Sequence, residues 1–183
     1  MTKVRGPNRY SLASIGLHWL MLVLIVGAYV AIELRETFPK GSDPREALKT
    51  WHYLLGFLVF GLVWLRIAAR LIWASPGSDA GEPALQRFAA SVVHLGLYLF
   101  MIGMPILGWL ILSAEGETIR IFAVHIPTIM EENETLAEGF EEAHELVGTI
   151  GYWLIGLHAA ASLVHHYIFR DRVLVRMLPR TSN

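Results

Sequence analysis

The sequence predicts an all-α integral membrane protein, a four-helix bundle with both termini in the cytoplasm. Hydrophobic residues make up 54% of the 183 residues and charged residues 17%, a balance too apolar for an ordinary soluble domain of this size. Four apolar stretches are long enough to cross about 30 Å of hydrocarbon as helices, which satisfy their own backbone polar groups in lipid. They cover residues 12–32, 53–72, 88–112 and 144–168, and we expect one domain over residues 1–183.

The charges are distributed unevenly between the two ends of the predicted bundle. The end with both termini and the second loop has ten basic and three acidic residues, whereas the other end has five basic and thirteen acidic residues. Since Lys and Arg are enriched in cytoplasmic loops, this predicts cytoplasmic termini. The first span is long, contains His18 and Trp19, and lacks a small-residue cleavage site before Glu33, so we interpret it as a retained helix rather than a secretory signal.

The fourth span places histidines on one stripe of an apolar helix. His144 and His158 are fourteen residues apart in the sequence, and a helix puts residues at this spacing about 21 Å apart and within about 40° of the same face. His165 follows one heptad later on the same stripe. Gly151 lies between the first two histidines and leaves room for a flat, bulky group such as haem.

The other spans supply further histidines inside the membrane, where an imidazole is a functional candidate by default. His18 in the first span and His94 in the third span lie in the inner half, and His52 begins the second span at the outer side. Arg66 follows His52 by fourteen residues. At this inner position its guanidinium could bind a haem propionate or extend to the membrane surface.

The two outer loops are expected over residues 33–49 and 113–143. The first contains Pro39, Gly41 and Pro44, which end the preceding helix. The second is long and strongly acidic, and we expect a short interfacial helix over residues 121–130. His125 in this loop is expected to be an ordinary surface histidine.

The histidine pattern predicts haem chemistry. The sequence has no cysteine, which excludes iron–sulfur clusters and covalently attached haem, so any haem is b-type. His52 is the only intramembrane histidine at the depth of His144, which predicts an outer haem between them. His158 needs His18 or His94 as its partner, and the spacing does not choose between the two. Iron with two imidazole ligands is saturated and transfers one electron at a time, so two such haems would conduct electrons across the membrane.

A path for zinc, copper or protons is the alternative interpretation of histidines spaced through a helix bundle. Such paths usually require carboxylates inside the membrane, and the predicted spans contain none apart from Glu145 at the outer end of the fourth. The fourteen-residue spacing also suits two macrocycles better than a chain of small ions. The haem interpretation is therefore favoured.

Several short motifs together resemble the bacterial cytochrome b561 family over essentially the whole chain. They are His18 with Trp19, His52, PILGW at residues 105–109, HE at 144–145, GLHAAA at 156–161, HHY at 165–167 and RMLPR at 176–180. The resemblance implies two haem b groups in a bacterial inner membrane, with axial ligands from the first, second and fourth spans. On this pattern His18 joins His158 at the inner haem. His52 joins His144 at the outer haem, and His94 is left near the inner haem or near a quinone.

The same resemblance implies an oxidoreductase that oxidises superoxide to oxygen at the outer face and reduces ubiquinone. His165 would hydrogen-bond the quinone near the inner side. Four cations precede His52 and would attract an anion, although the outer face as a whole is acidic. They are Arg35, Lys40, Arg45 and Lys49.

A cytochrome b membrane anchor is the alternative function. It would relay electrons between a partner dehydrogenase or hydrogenase and quinone, and its acidic outer loop would dock a basic partner. The expected partners are therefore membrane lipid, superoxide and quinone, with a redox protein at the outer face in the alternative, and no nucleic acid.

Overall fold

Four long helices dominate the computed structural model, which describes residues 9–73, 76, 83–121 and 124–179. They are α1 (Leu12–Arg35), α2 (Asp43–Ile72), α3 (Ala84–Ala114) and α4 (Glu134–Val164). The four helices are long and apolar enough to cross a membrane, and α4 continues as a π-helical turn over His165–Phe169. The predicted all-α membrane bundle of four helices is confirmed. The cytoplasmic location of the termini stays a prediction.

Two of the helices begin about ten residues before the apolar stretches that predict them. Pro44 in the first turn of α2 and the acidic side chains of Asp43 and Glu46 favour a helix start there, so the preceding loop is short. Asn133 caps α4, because its side chain accepts a 3.0 Å hydrogen bond from the backbone N–H of Leu136. The acidic residues expected in the second outer loop therefore lie partly on the first turns of α4.

The second outer loop contains a β-hairpin, and the interfacial helix expected over residues 121–130 is wrong. Strand β1 (Ile119–Ile121) pairs antiparallel with β2 (Val124–Ile126), with Arg120 opposite His125. β-Branched residues favour this extended pairing, and Pro127 disfavours a continuing helix. Residues 122 and 123 lie outside the described part of the chain. His125 is exposed, as an ordinary surface histidine would be.

The core of the bundle lies at its centre, where side chains of α1, α2 and α3 meet. Met21, Val59, Val63 and Met101 form a buried cluster there. Helix α1 packs most extensively against α2, and α3 against α4, with α2 against α3 joining the two pairs. Many large apolar side chains remain exposed on the outside of the bundle, which is the surface that lipid would cover.

Two tyrosines bridge α1 and α4. The Tyr29 hydroxyl donates a 2.7 Å hydrogen bond to the Gly148 carbonyl, and the Tyr152 hydroxyl donates a 2.9 Å hydrogen bond to Glu33. The two rings stack with their centroids 4.1 Å apart. Tyr29 also needs the space beside Gly151, since a Cβ there would collide with the Tyr29 hydroxyl and the Phe100 ring. The α1–α4 contact therefore depends on a glycine.

The chain after α4 folds back onto the bundle. Arg170 adopts a left-handed conformation with φ 54°, which turns the chain after the π-helical segment. A short 3-10 helix follows over Val175–Met177, and the Trp19 indole donates a 2.8 Å hydrogen bond to the Met177 carbonyl. This hydrogen bond joins the C-terminal segment to α1 next to His18.

We expect Gly151→Ala to destabilise the bundle by about 1–3 kcal/mol, as overpacking of a close contact does. The added methyl group would displace the Phe100 ring and the Tyr29 hydroxyl. Gly156→Ala is the matched control on the same helix, because nothing lies within 4 Å of its added Cβ. Thermal unfolding of the two variants in detergent measures the difference, and equal midpoints would contradict the assigned contact.

Candidate cofactor-binding site

Five histidines from all four helices form two layers inside the bundle. In the outer layer the ring centroids of His52 on α2 and His144 on α4 lie 6.0 Å apart. In the inner layer His158 on α4 lies 6.2 Å from His18 on α1 and 5.4 Å from His94 on α3. The structure thus brings together both pairs expected from the sequence and adds His94 to the inner one.

The ring distances can be compared with the geometry of one metal ion between two imidazoles. A metal–nitrogen distance of about 2 Å on each side separates the ring centroids by about 6 Å. The pair His52 and His144 fits this separation, and so does the pair His18 and His158. His94 lies closer to His158 and is the exposed member of the inner layer, which favours His18 as the partner.

A cavity lies beside the outer histidine pair. Its volume is about 80 Å³, and it is partly open to the surroundings. His52, His144 and Gly108 line it together with mostly apolar side chains. A Cβ on Gly108 would lie 3.5 Å from the His144 ring, so this glycine keeps the pocket wall thin at the candidate ligand.

The hydrogen bonds of the outer histidines are suited to binding a haem iron. The Nδ1 atom of His52 lies 2.9 Å from the Ala28 carbonyl, which can only accept. His52 Nδ1 therefore carries the hydrogen, and its Nε2 has a free lone pair for a metal. The His144 imidazole has the Met104 backbone as its polar neighbour, and its buried Nδ1 has no other partner among the described residues. With its hydrogen on Nδ1, as in His52, this imidazole would also leave Nε2 for a metal.

Arg66 turns toward the inner histidines. Its guanidinium donates a 3.1 Å hydrogen bond to His18 Nδ1, and a second nitrogen lies 3.5 Å from the Ser14 carbonyl. No carboxylate of the described residues forms an ion pair with this half-buried cation. Of the two sequence-based interpretations, this contact supports a role inside the site over extension to the membrane surface.

His165 belongs to a small polar cluster at the inner end of α4. The Gln86 amide lies 2.7 Å from His165 Nε2, and His165 Nδ1 pairs with the Asp171 carboxylate. Burial raises the pKa of Asp171, but hydrogen bonds from the Val173 N–H and from His165 outweigh burial and lower the pKa overall. Sequence reasoning missed Gln86 and Asp171. The available signal was that Asp171 is the only acidic residue after the fourth span, within a basic tail.

The four cations before His52 do not form a free positive patch. Arg35 and Arg45 each lie 2.9 Å from Glu36. The hydrogen bonds from both guanidinium groups lower the pKa of Glu36. Arg45 also donates to the carbonyls of Arg35 and Phe38, as a cation at a helix C-terminus does. Lys40 is exposed in the first outer loop.

Lys49 is a cation at the wall of the outer cavity. It lies over the ring of Tyr53, a cavity-lining residue, at 5.6 Å and pairs with Glu117 at 3.5 Å. Burial raises the pKa of the neighbouring Glu115. Three of the four expected cations are therefore paired with carboxylates, and Lys49 among them lies over a residue of the cavity wall.

Histidine pairs at two depths of a membrane-spanning helix bundle are typical of a membrane cytochrome b. The described ranges contain no group of three His, Cys, Asp or Glu side chains of the kind that holds a metal ion by itself. The family model described as prokaryotic cytochrome b561 matches residues 9–180. The chain belongs to the prokaryotic cytochrome b561 family, which confirms the resemblance predicted from its motifs.

Individual relatives match nearly the whole chain. Cytochrome b561 homolog 1 of Escherichia coli K12 is 35% identical over 173 residues, which cover 94% of this chain and 98% of the relative. The probable superoxide oxidase CybB of Yersinia pestis is 34% identical over 173 residues, 94% of this chain and 97% of the relative. Cytochrome b561 homolog 2 of E. coli K12 is 28% identical over 191 residues. The protein is thus a multi-pass bacterial membrane protein of electron transfer, and its family implies b-type haem.

The assignment of the second axial ligand in the inner layer can be tested by substitution. We expect His18→Ala to lower the haem b content per chain and His94→Ala to leave it unchanged, because only His18 has the ring separation of a ligand pair. His125→Ala is the control for a histidine outside the bundle. Pyridine haemochrome assays on the purified variants measure the content. Loss in His94→Ala with retention in His18→Ala would reverse the assignment.

Proposed function

We propose that the protein is a dihaem cytochrome that transfers electrons from superoxide at the outer face to ubiquinone at the cytoplasmic side of the inner membrane. The observation that carries the proposal is the arrangement of histidines in two layers along α4. His144 and His158 are separated by fourteen residues, and each faces a partner imidazole about 6 Å away on another helix. Two layers at different depths support two redox centres and a path across the bundle.

Each layer would hold one haem b through its imidazole pair. When bound, haem b with two imidazole ligands exchanges one electron at a time and leaves no position for oxygen to bind. His52 would present Nε2 toward His144, since its Nδ1 hydrogen is committed to the Ala28 carbonyl. Arg66 beside His18 would bind a propionate as a charge-assisted donor.

Superoxide is proposed as the outer donor, supported by the relative named a probable superoxide oxidase. Lys49 would raise the local concentration of this small anion, because its ammonium lies over Tyr53 at the cavity wall. Its pairing with Glu117 weakens the attraction. Burial raises the pKa of Glu115, so this carboxyl takes up a proton at a higher pH than an exposed glutamate. Once protonated, it no longer repels the anion.

Ubiquinone is proposed as the inner acceptor, with His165 as its hydrogen-bonding residue. A quinone needs two electrons and two protons to become a quinol, so a polar group at the membrane edge is required. Asp171 would keep hold of His165 Nδ1, and the quinone oxygen would replace the Gln86 amide as the partner of His165 Nε2. His94 lies in the inner layer close to His158 and would line the region between this cluster and the inner pair.

Haem content and electron transfer are tested together on the purified protein. We expect two b haems per chain that superoxide reduces and that a soluble ubiquinone then reoxidises. His144→Ala should lose the outer haem, keep the inner one and react with superoxide at least tenfold more slowly. The visible spectrum during addition of superoxide and then quinone measures each step. One haem per chain, or two haems that superoxide leaves oxidised, would contradict the proposal.

Lys49→Gln should lower the rate constant with superoxide by about threefold at low ionic strength, since unit charges about 7 Å apart in water interact by about 0.6 kcal/mol. Lys40→Gln is the matched control, a lysine of the same face that is exposed in the loop. Stopped-flow measurements at several salt concentrations give the rate constant of each variant with superoxide. An equal loss in the two variants would show that Lys49 has no special place in steering.

A membrane anchor for a soluble redox enzyme is the second candidate function. The observation that favours it is a row of exposed glutamates on the first turns of α4. The row consists of Glu134, Glu138, Glu141 and Glu145, and its spacing places the four on one side of the helix. Such a row would attract a basic partner. Two haems that superoxide does not reduce in the isolated protein would favour this function.

A further inference from the structure

One candidate axial histidine in each layer has a hydrogen-bonding neighbour at Nδ1, and the two neighbours are of opposite kinds. At the outer layer, His52 Nδ1 lies 2.9 Å from the Ala28 carbonyl, an acceptor. At the inner layer, His18 Nδ1 lies 3.1 Å from the Arg66 guanidinium, a donor with a permanent positive charge. Hydrogen-bonding partners of this kind change the basicity of a metal ligand and, through it, the reduction potential of the bound metal.

The carbonyl at His52 makes that imidazole a stronger electron donor. Accepting the Nδ1 hydrogen pushes electron density into the ring and raises the basicity of Nε2. A more basic ligand stabilises the oxidised iron, which carries the larger positive charge. The Ala28 carbonyl would therefore lower the reduction potential of a haem held by His52.

The guanidinium at His18 acts in the opposite direction. Arg66 cannot accept a hydrogen, so it gives His18 none of the electron density that a carbonyl supplies. If His18 binds iron through Nε2, its hydrogen moves to Nδ1 and the present hydrogen bond is lost, which would release the guanidinium for the propionate of the proposed function. The cation would then offset a negative charge near the inner iron, which favours the reduced state in the same way. No carboxylate of the described residues pairs with it. A fixed positive charge in a half-buried position stabilises the reduced state and raises the reduction potential of the inner site.

We propose that these two contacts set the direction of electron flow, with Arg66 as the positioning residue that makes the inner site the stronger electron acceptor. The inference rests on the proposed function, since it needs one haem in each layer. It goes beyond that function by giving an energetic cause for inward transfer. An electron that moves toward the cytoplasm moves against the membrane potential, and a higher inner potential would offset part of that work.

A redox titration of the haem-loaded protein, followed by its visible spectrum, tests the inference. The inner haem is identified in His144→Ala, which lacks the outer ligand. We expect the inner haem to have the higher potential in the unaltered protein. Arg66→Gln should lower the equilibrium constant for transfer from the outer to the inner haem at least tenfold, which is 59 mV for one electron. Arg66→Lys should recover most of this difference because it keeps the charge.

Arg70→Gln is the matched control. Arg70 is one turn further along α2 and is exposed, so solvent screens its charge and the constant should change less than threefold. If the outer haem has the higher potential in the unaltered protein, the inference is overturned. This measurement needs no substitution, so it still decides the matter if Arg66→Gln loses haem. Equal effects of Arg66→Gln and Arg70→Gln would also overturn it. One haem per chain or none would instead sink the proposed function, and the inference with it.

Discussion

The lack of hydrogen-bonding partners in lipid governs this structure. A polar side chain inside the bundle must be satisfied by protein or by a bound group, because hydrocarbon offers nothing. Helix α4 carries His144 and His158 on one face at two depths, and the other helices supply an imidazole at each depth. Each layer therefore combines a histidine of α4 with histidines of other helices. Helix α2 supplies the partner in the outer layer, and α1 and α3 supply the partners in the inner layer.

The packing around these layers is correspondingly specific. Glycines lie where a side chain of another helix approaches the backbone closely. Gly108 lies beside His144, and Gly151 lies beside Tyr29. Tyrosine hydroxyls and the Trp19 indole join elements that pack little through apolar side chains. Interhelical hydrogen bonds of this kind are effective in membranes, where apolar side chains gain little by leaving lipid for protein. The same polar contacts that hold the helices also surround the candidate site.

Sequence reasoning succeeded where a single helix carries the information. Hydropathy predicted four spans, and residue spacing predicted that His144 and His158 occupy two depths of α4. It failed where short-range residue preferences decide an element, as in the hairpin of the second outer loop and the early starts of α2 and α4. Capping residues and β-branched pairs act over a few residues in regions without a strong apolar period, so hydropathy did not detect them.

The sequence by itself determined the class of protein, the number of spans and the family, because apolar length and a whole-chain motif set are properties of the linear chain. Only the tertiary structure decided which imidazoles face each other, that Arg66 turns to His18, and that Glu36 pairs with two outer arginines. The physical reason is that these contacts join residues on different helices or beyond a turn. Depth in the membrane restricts such partners, but the rotation and approach of packed helices choose among them.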